Sequence, residues 1–307
     1  MNSSVWRSTA QTALCVFLWT TISQAGEPVA PSQAILEGAW QRLGSEEMLR
    51  IAESRVLRKT SGRWEVQKLL SLEHDRLVVR SGGFVKRLNV TVRGDRLELK
   101  DGSEVRQYQR LAEAPLELDL KPAPLGRVAD LSAQQVEAIQ ADLAARDAKD
   151  QEARKREPAA ESEIEVTTSD NTRALRMLVQ DVGWIDVARF GRQTSARAVL
   201  LAQHSGDLPL MMAALPFVEK DFKSRDDAQL YAVYWDALQV RLGEKQRYGT
   251  QVATDANGAP VLVPLEDPER VDEFRFSLGM VPLSDYLSLL SKYLHGGKEV
   301  RRPSPAE

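Results

Sequence analysis

From Ala34 to Leu111 apolar and polar residues alternate with a period of two. The stretch RLNVTVRGDRLELK shows it best: Leu88, Val90 and Val92 share one face, Gly94-Asp95 supply a tight turn, and Leu97 and Leu99 resume that face. VQKLLSL, DRLVVRS and SEVRQYQRL repeat the pattern, with Ser61-Gly62 and Gly82-Gly83 between them as turns. The spacing predicts an antiparallel meander of about six to eight strands over residues 32–112, rolled into a barrel that hides its edges. A barrel of this size is filled by its own side chains or holds an apolar ligand.

Prolines punctuate residues 113–130, and beyond them the period becomes helical. Ser132 caps a helix to about Arg156, and a charged, proline-interrupted loop follows to Ser169. Asp170 caps the next helix, which Gly183 ends. Thr194 or Ser195 starts ARAVLLAQH; Asp207 with Pro209 opens LPLMMAAL, which Pro216 breaks. Asp226 caps DAQLYAVYWDALQVRL, closed by Gly243. Asp267-Pro268 opens a helix closed by Gly279, and Pro282 opens the last. RYGTQVATDANGAPVLVP reads as one hairpin turning at Asn257-Gly258. The fold class expected is therefore α+β: a small antiparallel β-barrel or meander, then a mainly α-helical domain over residues 131–294 with one β-hairpin. A disordered tail is expected from His295 to Glu307.

The first 25 residues have the layout of a secretory signal peptide: Arg7, an apolar run from Ala13 to Ile22, then Ser23 and Ala25 as a small-residue cleavage site. This predicts an exported protein, periplasmic or secreted, with no stable membrane span after cleavage. Cleavage removes Cys15, the one cysteine, which excludes thiol catalysis, thiolate zinc sites and iron–sulfur clusters. It also moves the formal net charge from −3 to −4, since Arg7 is the only charge lost. Basic and acidic residues are interspersed, without the footprint of a nucleic-acid partner. His74 falls in the barrel and His295 in the tail, so no histidine cluster is available for a metal. No cofactor is expected. A carboxylate site for a divalent ion is left open, as is the oligomeric state.

Several polar residues stand where apolar ones are expected. The stripe Val136, Ile139, Leu143 continues onto Arg146, Asp150 and Arg154 without changing direction, and Gln151 sits beside it. Such a helix either projects into water or carries Asp150 and Arg154 into a pocket as an i,i+4 pair. Gln203 and His204 prolong the apolar flank of VLLAQH; the histidine is a satisfied core residue or a general acid–base with a carboxylate partner. No G-x-S-x-G is present. Asp236 lies among apolar neighbours and needs a partner or a raised pKa; it suits a structural role, bonding a loop's backbone amides, as well as a functional one. Gln246, Arg247, Tyr248 and Gln251 crowd the mouth of the hairpin, where Gly249 permits close backbone approach.

Together these pieces resemble the bacterial domain of unknown function 6624. The residues that carry the resemblance are Asp150-Gln151-x-x-Arg154, Asn171 with Gly183-Trp184, Gln203-His204, and Tyr248-Gly249-Thr250-Gln251. Pro264-x-Glu266-Asp267-Pro268 with Asp272, and Gly279-x-x-Pro282-Leu283-x-x-Tyr286-Leu287, complete it. It covers about Leu131 to Leu287; separately, the stretch LEGAWQRL, with Gly38 two residues before Trp40, resembles the start of a lipocalin-like barrel. The chain departs from the family pattern at Ala237, where an arginine usually follows the buried aspartate. The resemblance implies no reaction, but it favours a shared polar site over a packing pattern. The expectation is a hydrolase with His204 and Asp150 as catalytic residues. Arg154, Gln151, Gln203, Tyr248, Gln251 and Asp236 would hold a small polar or anionic ligand. The alternative is a non-catalytic binding or interaction module whose polar residues form a structural network.

Overall fold

Strand alternation closes the N-terminal half into an eight-stranded antiparallel barrel. The strands are β1 (Gly38–Arg42), β2 (Met48–Ala52), β3 (Arg55–Thr60), β4 (Arg63–Glu73), β5 (Arg76–Ser81), β6 (Phe84–Arg93), β7 (Arg96–Asp101) and β8 (Glu104–Arg110). The structure, a computed structural model, describes residues 32–303 apart from 53, 62, 116–117, 156–160, 225–226, 256 and 294–297. The expected signal peptide and the expected cap Asp226 lie outside the described residues. Each strand pairs with the next, and Trp40 opposite Arg110 joins β1 to β8. Leu49, Ile51, Leu77, Val79, Val90 and Leu97 point inward and are buried, so the barrel is packed with its own side chains. Leu36 of a short helix α1 (Gln33–Leu36) joins that core. Trp40 Nε1 donates to the Leu36 carbonyl at 3.0 Å, and the Arg110 guanidinium lies 4.0 Å over the Trp40 ring. A Cβ at Gly38, whose φ is +133°, would stand 2.8 Å from Arg110 Nη1; the backbone must be bare there. The barrel is consistent with a lipocalin-like fold.

The second half holds α2 (Ala133–Lys155), α3 (Glu161–Val182), α4 (Val187–Phe190), α5 (Arg192–Ser205), α6 (Leu208–Phe222) and α7 (Ala228–Arg241). A hairpin of β9 (Val252–Thr254) and β10 (Pro260–Leu262) follows, then α8 (Val271–Ser277) and α9 (Leu283–Tyr293). Ser132 and Gln135 form a reciprocal cap at the start of α2: the Gln135 N–H donates to the Ser132 hydroxyl and the Ser132 N–H to Gln135 Oε1. α5 is the hub, packed against α2, α3, α4, α6 and α7. Its buried Ala198, Val199, Leu201 and Ala202 supply the centre of the helical core.

Several boundaries differ from the pattern: α5 starts at Arg192 after Gly191 and not at Thr194 or Ser195, and α8 starts at Val271, past Asp267-Pro268. α3 starts at Glu161 rather than after Asp170, and Asp170 pairs with Arg173 on its exposed side instead of capping. The buried stripe of α3 is Thr167, Asn171, Leu175, Val179 and Val182, and its first two members are polar, which hides the period. Pro216 does not break α6. Its ring faces solvent, where the lost N–H bond costs least, while Ala214, Val218 and Phe222 anchor both sides in the core. The tail is ordered where it is described: the Arg301 N–H donates to the Pro260 carbonyl and the Arg301 carbonyl accepts from Leu262 N. Val300 is buried beside Leu262 and Leu283, so an apolar residue docks this segment onto the hairpin.

The two halves are packed together. Leu57 and Val66, opposite each other on β3 and β4, face out of the barrel and join the helical core. Lys68 reaches Glu244 at 2.7 Å, and Arg63 reaches Glu165 at 3.0 Å. Gly243, with φ +77°, lies against the barrel so closely that a Cβ would stand 2.6 Å from Lys68 N.

Gly243→Ala is therefore expected to lower stability by roughly 2–4 kcal/mol, from left-handed strain plus overlap. Gly44→Ala, at an exposed turn with φ +72° and open space around it, isolates the strain alone at about 1 kcal/mol. Chemical denaturation of both variants checks the difference; equal losses would mean the halves are not tightly docked at Gly243.

Candidate functional site

The last turn of α5 carries Gln203 and His204, and the helix stops because Gly206 takes φ +61°. One helix away, near the end of α2, Asp150 points back at it. His204 Nδ1 lies 2.6 Å from Asp150 Oδ2. Arg154, one turn beyond Asp150, closes on the same carboxylate with Nε to Oδ2 at 2.8 Å and Nη2 to Oδ1 at 3.0 Å. Arg154 Nη2 also donates to Thr168 Oγ1 of α3 at 3.3 Å, so three helices meet at this carboxylate.

Asp150 is only 2% exposed. Burial pushes its carboxyl upward, but hydrogen bonds from His204 and Arg154, and their charges, outweigh it and hold the group at about 2. The carboxylate is ionised and accepts only, so the neutral imidazole must carry its proton on Nδ1. That leaves the lone pair on Nε2, which bonds to no described residue.

His204 borders two adjoining hollows between the barrel and the helices. The smaller, about 410 Å³, is lined by Arg154, Gln203 and Gln251 from the helical half and by Trp64 and Glu65 of β4. The larger, about 1280 Å³, extends along α3 and the connector past Thr172, Arg176 and Lys121. Trp64, His204, Gly206 and Arg241 belong to both walls. The Gln203 side-chain oxygen is buried and has no partner among the described residues. Gln251 is held over the smaller hollow by bonds from its amide to the Val233 carbonyl and Thr250 Oγ1, at 3.3 and 3.1 Å.

Asp150, Arg154, Gln203, His204 and Gln251 thus converge. Three expected binding residues do not join them. Asp236 is fully buried and accepts from Arg247 N at 2.8 Å, Tyr248 N at 3.1 Å, Thr250 N at 3.0 Å and Thr250 Oγ1 at 2.9 Å. Burial pushes its carboxyl up against the pull of those donors. Its role is to fold the 247–251 loop that presents Gln251. These donors satisfy Asp236 without an arginine at position 237, where Ala237 stands. Tyr248 is buried against Tyr231 and reaches neither hollow. Gln151 is half-buried on α2 and also lines neither. Gln246 is buried and braces the same loop, Nε2 to the Val263 carbonyl at 2.6 Å and Oε1 from Gln251 N at 2.7 Å.

The sequence pattern misses Trp64, Glu65 and Arg241. The first two sit in a strand whose alternation predicts only a barrel, and nothing local says which outer face will be covered. Arg241 ends an apolar helix, where a cation reads as a complement to the helix dipole. Among the described residues no group of three or more His, Asp or Glu is placed to hold a metal ion, and no helix is long and apolar enough to cross a membrane.

The sequence model of a family of unknown function, DUF6624, matches residues 129–298, more than half of the chain. The match runs from just before α2 past α9 and includes Asp150, Arg154, Gln203, His204 and Gln251, but not the barrel. No curated protein and no solved structure matches the chain.

The depressed Asp150 carboxyl makes stability depend on acid. Its value in the folded state lies below the ordinary 3.8, so the unfolded chain takes up the proton first. The contribution, about 2 kcal/mol, is fully present above pH ~4 and lost as pH falls toward ~2. Unfolding free energies measured over that range should fall more steeply for the wild type than for Asp150→Asn; parallel profiles would contradict the ionised pair.

Proposed function

The chain belongs to this family of unknown function, and on that premise we propose that it is an exported hydrolase in which His204 is the general acid–base. The observation that carries this reading is the 2.6 Å bond between His204 Nδ1 and a buried, ionised Asp150, at the border of a hollow. A carboxylate in that position fixes the tautomer and steadies the imidazolium that forms on proton uptake. Arg154 positions Asp150. Gln203 and Gln251 offer amide groups to a polar substrate in the smaller hollow.

Water is the nucleophile in this scheme. Its oxygen bonds to the electrophilic carbon or phosphorus of the substrate while Nε2 takes its proton. The bond to the leaving group then breaks, and that group takes the proton back from Nε2. Ser205 is not available for attack: its hydroxyl donates to the Ala202 carbonyl at 2.6 Å and accepts from Asp207 N at 3.0 Å. A non-catalytic binding module is the second reading, favoured by the two-pronged grip of Arg154 on Asp150, which suits a purely structural network. Export is supported by the N-terminal pattern of Arg7, the apolar run and Ala25.

Turnover of nitrophenyl esters and nitrophenyl phosphates tests the hydrolase. His204→Ala should fold normally and lose about 10²- to 10⁴-fold in rate. Equal turnover by the variant, or none by the wild type on any substrate of the panel, favours the binding module. Export is tested by the intact mass of the protein expressed in a bacterial host. A chain beginning at Gly26 and recovered outside the cytoplasm is expected; a full-length cytoplasmic chain would contradict it.

A further inference from the structure

Arg241 is the exception among the cations around the larger hollow. Six cationic side chains line that hollow against three carboxylates, in a chain whose formal net charge is −3. Five of the six are engaged. Lys121 pairs with Asp119 at 2.8 Å, Arg63 with Glu165 at 3.0 Å, Arg176 with Asp207 at 2.5 Å and Arg173 with Asp170 at 2.5 Å. Lys59 lies 5.5 Å over the Trp64 ring. Arg241 makes no ion pair and no hydrogen bond to any described residue.

Its setting is specific. It is the last residue of α7, exposed to both hollows, with its guanidinium laid on the backbone of Gly206, two residues after His204. A Cβ at Gly206 would stand 2.8 Å from Arg241 Nη1 and 3.1 Å from its Cζ, so glycine makes room for the charge as well as ending α5. Surrounding protein lowers the pKa of Arg241 by desolvation, and no carboxylate offsets that. A partly desolvated guanidinium without a counter-ion, on a wall where cations outnumber carboxylates, is a fork waiting for an oxyanion.

We propose that Arg241 anchors an oxyanion group of the ligand, a carboxylate or a phosphate, beside His204 at the junction of the two hollows. The rest of the ligand extends into the cationic hollow, and its polar part meets Gln203 and Gln251. This deepens the ligand-site reading above but does not need hydrolysis to be correct.

Calorimetric titration of the purified protein with inorganic phosphate and with succinate, at constant ionic strength, tests it. The wild type should bind at least one of them in about the millimolar range. Arg241→Gln should bind at least about tenfold more weakly, and Arg241→Lys, which keeps the charge and loses the fork, should fall between. The readout is binding and not turnover, so failure of the acid–base reading and failure of the anchor are separate results. Binding of phosphate alone assigns a phosphoryl ligand, and of succinate alone a carboxylate ligand. The proposal is overturned if the wild type binds neither, or if Arg241→Gln binds as tightly as the wild type. Should Arg241→Gln not fold, affinity of Arg241→Lys equal to or above the wild type overturns it instead.

Discussion

A carboxylate sealed from water costs several kcal/mol unless opposite charge and hydrogen bonds replace its hydration. Asp150 meets that constraint with two partners from different places in the chain, and the helical half is arranged around the meeting. Arg154 comes from the same helix, one turn on, so α2 alone could supply it. His204 comes from the end of α5, which must lie beside α2 for the bond to form. Thr168 ties α3 to the same point. The interaction that fixes how three helices cross is thus also the one that fixes the imidazole tautomer and leaves Nε2 toward the hollows.

The barrel changes what this pair can do. By itself the end of α5 would face open solvent. Docking through Leu57 and Val66 brings Trp64 and Glu65 across from Gln203 and His204 and turns an exposed helix end into a walled site. Water is partly excluded there, which strengthens every charge interaction inside. Gly243 and Gly206 are the points where bare backbone allows the approach, one between the halves and one between α5 and Arg241. A barrel packed with its own side chains contributes a wall rather than a second pocket.

Much of this was legible from residue pattern. Strict alternation announced the barrel because one face of each strand had to be buried, and caps and glycines announced most helices. Asp150, Arg154, Gln203, His204 and Gln251 stood out because polar groups interrupted apolar faces. The pattern failed where its own logic was locally reversed. Thr167 and Asn171 are polar members of a buried stripe, so the apolar period alone starts α3 too late; Pro216 faces water, so its missing N–H stops nothing. Asp236 reads from sequence equally as a functional group or as a bond to a loop's backbone amides, and only the folded loop, through Arg247, Tyr248 and Thr250, decides between them. Arg241 and Trp64 were hidden for a different reason: their importance lies in packing between the two halves, and no local period records that.

The tautomer of His204 is the most direct test of the central claim. Nitrogen and proton NMR of the labelled imidazole near neutral pH should find the proton on Nδ1, in a strongly hydrogen-bonded, downfield resonance that disappears in Asp150→Asn. A proton found on Nε2, or an imidazole indifferent to that substitution, would contradict the account.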